Sequence, residues 1–140
     1  MNKQKYEYMR NAKKALVFNK AVASGVSGFI DAPVVDHGIV EGIRIRFAAG
    51  ENGTLHIRPV MILPGNIPVD LLEYAVGGDK YLSGDDETIE IPVAFETENH
   101  AVIRVFYDNT ATDPLADDSI VNVVVTVNYF AIVEPVNIIG

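Results

Sequence analysis

The sequence predicts an all-β fold, a single antiparallel β-sandwich with a basic N-terminal arm. Three observations predict it. Apolar and polar residues alternate with period two from residue 39 onward, turn residues punctuate these runs, and no long amphipathic helical pattern interrupts them. About seven or eight strands are expected. The long connections at 63–87 and 108–118 favour a jelly roll over an immunoglobulin-like sandwich, because strands that cross between sheets need them. The chain also lacks the Cys and Trp marks of an immunoglobulin core.

The elements follow in order. Ala15–Ala23 and Phe29–Val35 read as short strands around Ser24-Gly25-Val26-Ser27-Gly28. Ile43, Ile45 and Phe47 alternate with Arg44 and Arg46, and Leu55 and Ile57 with His56 and Arg58. Asn52-Gly53 between these runs announces a hairpin. A three-residue loop, Glu51-Asn52-Gly53, would pair Phe47 with Ile57 and Arg46 with Arg58 and keep each apolar face intact. Pro59 removes a backbone donor, so an edge position or a bulge is expected there. Ile67–Val76 reads as a short helix or an irregular strand, with Val69–Tyr74 leaning helical. Ile89, Ile91, Val93 and Phe95 mark the next strand. A second hairpin through Glu96–His100 would pair Val93 with Ile103. Ala101–Asp108 is apolar on both faces apart from Arg104, as a central or covered strand would be. Val121, Val123, Val125, Val127 and Tyr129 mark the last strand.

Charge divides the chain unevenly. Lys3, Lys5, Arg10, Lys13, Lys14 and Lys20 face only Glu7 in the first twenty positions, a net charge of +5. The remaining residues carry five bases against eighteen acids, a net −13. Residues 1–14 are therefore read as an arm and residues 15–140 as the sandwich domain. Such an arm is drawn to an acidic protein surface or to its own body. Nucleic acid is not an expected partner, since a −13 body repels phosphate and no aromatics interleave with the arginines. No apolar run reaches the length of a membrane helix. A secretory signal is not expected, because the apolar stretch Ala15–Val22 is short and broken by Asn19 and Lys20.

Chemistry-bearing groups are sparse. If the first hairpin forms, Arg44, Arg46, His56 and Arg58 share its outer face. Acidic side chains of the same body would then cover them, or the face docks an acidic partner. The acidic loop 108–118 could hold calcium, but lacks the EF-hand spacing, and a solvated turn is the simpler reading. His37, His56 and His100 are scattered, with no paired metal motif or nucleophile elbow. No enzymatic activity, cofactor or metal is therefore expected. Tyr74 and Tyr81 are the aromatic pair a glycan would use, with loop packing as the alternative role. The apolar end, with Phe130, Ile132, Val136, Ile138 and Ile139, either folds onto its own core or packs against another subunit.

The Cys-free β-rich body, the basic Met1–Lys20 arm and the apolar Val133–Gly140 tail resemble small virion proteins of tailed bacteriophages, of the head-decoration and head-fibre type. The resemblance implies a virion subunit made in the host cytoplasm, frequently a trimer. Its arm and its Arg44–Arg58 face would contact a capsid shell. The combined expectation is a structural assembly protein that docks through its arm and oligomerises through apolar edges. The alternative is a glycan- or other ligand-binding sandwich.

Overall fold

Each alternating run has one apolar face to bury, and the chain buries these faces by stacking two four-stranded sheets. A computed structural model describes residues 9–34, 37–72 and 81–132. Its strands are β1 (Met9–Val22), β2 (Ser27–Pro33), β3 (Gly38–Phe47), β4 (Leu55–Leu63), β5 (Ile67–Asp70), β6 (Glu87–Thr97), β7 (Val102–Asn109) and β8 (Ser119–Ile132). The first sheet runs β1-β8-β3-β6 and the second β2-β7-β4-β5. Every pairing is antiparallel. The order is nested: β1 pairs with β8, β2 with β7, β3 with β6 and β4 with β5.

The expected apolar stripes form the core between the sheets. Phe18, Ile43, Ile45, Phe47, Val123 and Val125 of the first sheet meet Leu55, Ile57, Met61, Ile103 and Val105 of the second, all essentially inaccessible. β7 lies between β2 and β4, the central place its two apolar faces require. Gly38 admits β8: a Cβ there would fall 2.5 Å from the Asn128 carbonyl oxygen and 2.9 Å from Tyr129 Cα. Pro59 sits where its missing donor is harmless. Ile57 exchanges backbone hydrogen bonds with Leu82, and Pro59, two residues on, directs its nitrogen to that same side. There the β5 ladder begins only at Val60. The segment after Pro64-Gly65-Asn66 is extended through β5 and turns helical at Leu71–Leu72. The rest of the expected helical stretch, including Tyr74, lies outside the described residues.

Both expected hairpins are corrected. β3 and β4 lie in different sheets, as do β6 and β7. Phe47 therefore faces Glu87 of β6, and Ile103 faces Ala32 and Met61. The local turn is real: Thr54 N–H donates to Glu51 O at 3.0 Å, and Asn52 and Gly53 have φ of 51° and 74°. These angles suit a tight primed turn, but here the turn carries the chain across the core instead of back along its neighbour. A sandwich buries each apolar face against the opposite sheet, so face matching could not reveal which strands pair.

Candidate functional site

The basic residues near the N-terminus sit on an edge. β1 occupies the end of its sheet and pairs along its whole length with β8. The boundary expected at residue 14 thus falls inside a strand that already runs from Met9. Lys13, Lys14 and Lys20 are exposed, and Val17 is 64% exposed. Arg10 lies in β1 opposite Ala131, while Lys3 and Lys5 fall outside the described residues. Lys20 reaches over the Tyr107 ring of the second sheet at 5.8 Å.

A bulge in β3 ties this edge to the body. Against β8 the register shifts between Val40 and Gly42, leaving Glu41 as the extra residue of that ladder. Its carboxylate receives the Asn128 Nδ2 amide at 3.1 Å and pairs with Lys13 Nζ at 3.2 Å. Those two partners hold Glu41 below its ordinary pKa, the Asn128 hydrogen bond most strongly. The basic strand is therefore drawn partly to its own acidic body.

The expected cluster of Arg44, Arg46, His56 and Arg58 is split between the two sheets. Arg44 faces Glu90 across β3 and β6. Arg46 pairs with Asp86 at 2.7 Å, and Arg58 donates from Nε to the buried Asp70 at 2.9 Å. Acidic groups of the same body thus accompany these arginines. Phe130 and Ile132 lie in β8 opposite Asn11 and Met9; Val136, Ile138 and Ile139 fall outside the described residues.

The acidic loops serve the backbone. Asp85 Oδ1 accepts the Gly50 and Asn52 N–H groups at 2.8 and 3.2 Å, fastening the 48–54 crossover. Asp113 accepts Leu115 N–H at 2.9 Å, and the buried Asn109 donates to the Val22 carbonyl at 3.0 Å. Among the described residues, no group of three His, Asp or Glu side chains is placed to hold a metal ion. No helix among them is long and apolar enough to cross a membrane.

Folding creates a cleft that sequence reasoning missed. On the outer face of the second sheet an open cleft of about 380 Å³ is lined by Ser27, Phe29, His56, Arg58, Tyr81, Phe106 and Asp108, among others. Tyr81 stacks on His56 with centroids 4.0 Å apart and planes 5° from parallel. Phe29 meets Phe106 edge-on at 5.9 Å, and the Arg104 guanidinium lies 4.0 Å over Phe29. Asp31 grips Arg104 through two hydrogen bonds of 2.8 and 3.0 Å and raises its pKa further. Phe29 and Phe106 both occupy outward positions of their strands. That alternation was the available signal, but the pairing that joins strands so distant in sequence was not.

No family model and no curated protein matches the sequence. Solved structures resemble this chain to different degrees. A serine protease of Aeromonas sobria matches over 86% of this chain with a TM-score of 0.50 and 8% identity. A structure of infectious bursal disease virus, Gt strain, matches over 86% with 0.49 and 8%. The D431N mutant VP2 protein of that virus, as derived T=1 particles, matches over 91% with 0.33 and 13%. The chain spans 27%, 32% and 41% of those chains. At such identities the likeness concerns the fold alone. It nevertheless corrects the expectation of no enzymatic activity: part of a protease chain has this fold, so sparse histidines and missing motifs do not set the chain apart from enzymes.

Proposed function

We propose that this chain is a structural subunit of a virion, attaching to an acidic partner surface through its basic β1 edge and associating with copies of itself. The observation that carries this reading is β1: fourteen residues at a sheet edge, presenting Lys13, Lys14 and Lys20 beside the exposed Val17. Unpaired backbone groups along an edge are a template for strand addition, and lysines there repel like-charged edges. The same lysines favour an acidic partner. Lys3, Lys5 and Arg10 add charge at the same end of the sequence. The nested strand order supports reading the sandwich as a jelly roll. The trimer reading rests on the apolar Phe130, Ile132, Val136, Ile138 and Ile139.

A polyglutamate-coated surface tests the attachment. The full chain binds it in low salt and leaves as ionic strength rises, because exposed charges are screened beyond about 8 Å at physiological salt. The triple variant Lys13→Glu, Lys14→Glu, Lys20→Glu loses this binding. Unchanged binding by the variant, or none by the parent, overturns the attachment. Light scattering tests the assembly: a trimer that survives high salt is expected, and a monomer at every salt concentration overturns it.

A further inference from the structure

The outer-face cleft lies on the sheet opposite β1 and stands independently of the attachment reading. Strand register sets three rows side by side: Ser27, Asp108 and His56; Phe29, Phe106 and Arg58; Asp31, Arg104 and Val60. The guanidiniums are already engaged, Arg104 by both oxygens of Asp31 and Arg58 through Nε by Asp70. An anionic ligand would have to compete with those carboxylates. The acids flanking the cleft form no cation site among the described residues. Exposed aromatic surface and a mixed set of hydrogen-bonding groups remain. Phe29 is 49% exposed although Arg104 covers one face, and Tyr81 is 48% exposed although His56 covers one of its faces. Asp108 offers acceptors, Ser27 a hydroxyl that donates and accepts, and Arg58 its terminal amino groups.

We propose that this cleft binds a neutral oligosaccharide. Phe29 and Tyr81 are the platforms for sugar rings, and Asp108 and Ser27 are partners for sugar hydroxyls. One face of a pyranose presents C–H groups that lie well against the electron-rich face of an aromatic ring. Its hydroxyls need donors and acceptors in equal measure, which a carboxylate, a hydroxyl and a partly free guanidinium supply together. The volume is in the range of small-ligand sites, about 300–1,000 Å³.

The full chain is titrated with maltohexaose, cellohexaose, mannohexaose and lacto-N-tetraose, followed by amide NMR shifts and calorimetry. A decaproline peptide is the competing probe. At least one sugar binds with a dissociation constant between roughly micromolar and millimolar, and its shifts map to the three rows. Phe29→Ala and Tyr81→Ala each weaken binding by about tenfold or more, equivalent to 1.4 kcal/mol, and Asp108→Asn weakens it as well. Both rings are half exposed, so melting temperatures stay near the parent value and the comparison remains interpretable. No shift from any sugar at millimolar concentration overturns the proposal. So do shifts mapping elsewhere, affinities indifferent to the two ring truncations, or binding of decaproline alone. None of these outcomes touches salt-dependent attachment through β1.

Discussion

Glu51 is buried in the crossover from β3 to β4, with Oε1 accepting the Ala48 N–H at 3.0 Å and Oε2 meeting no hydrogen-bond partner among the described residues. Burial pushes its pKa above the ordinary glutamate value, against the pull of the Ala48 and Ile120 backbone groups. A raised folded-state pKa means that the fold favours the protonated acid. The stability this group contributes is full below its unfolded pKa, about 4.3, and is lost as pH rises through the folded value. Glu51→Gln has no proton to lose. Its melting temperature relative to the parent should therefore climb between pH 4 and pH 7, as thermal unfolding in matched buffers would read. A constant difference across that range would refute the burial account. Glu41 works in the opposite sense: its lowered pKa contributes stability above the unfolded value, lost as pH falls through the folded one.

At the scale of elements, β1 combines two kinds of residue. Lys13, Lys14 and Ala15 are exposed, whereas Phe18 and Val22 are 1% exposed and belong to the core. Truncation should separate them. Removing residues 1–14 deletes the ladder from Met9 to Lys14 against β8 but leaves both core side chains in place. Cooperative unfolding should survive with a melting temperature lower by about 4–8 °C for each kcal/mol lost, or somewhat less at this length. Removing residues 1–22 also takes Phe18, a change of the kind that costs about 3–5 kcal/mol, and exposes the flank of β8. That form should not unfold cooperatively. Circular dichroism melts of the two truncations decide the matter, and equal behaviour would contradict this division of β1.

At the scale of the whole molecule, the nested order joins the two ends of the chain. Among the described residues, β1 finds its partner only in β8, and β2 only in β7. Most of the pairing is therefore distant in sequence, and loop-closure entropy is spent before those contacts form. Stopped-flow refolding should consequently fall in the millisecond-to-second range typical of all-β domains, not in microseconds. Ending the chain before Ser119 leaves β1 and β3 without β8 and exposes the inner face of the second sheet. That fragment should show no cooperative transition, and a folded fragment would contradict the nested arrangement. The charge division acts at the same scale: a positive edge on a −13 remainder attracts acidic surfaces and its own body alike, and Lys13–Glu41 is one such internal contact.

The sequence by itself determined the class of the fold, most of its strands and their inward faces. Period-two alternation is a local property, and burying Ile43, Ile45 and Phe47 needs only some apolar surface opposite. Asn52-Gly53 likewise announced its turn, because positive φ is a local demand. Tertiary structure alone decided which strands became neighbours. Two runs with matching apolar faces can pair edge to edge or stack face to face, and alternation is the same in both cases. That ambiguity dissolved both expected hairpins and separated Arg44 and Arg46 from His56 and Arg58. It also hid the cleft, whose Phe29 and Phe106 come from strands β2 and β7, far apart in the chain and joined only when the sandwich closes.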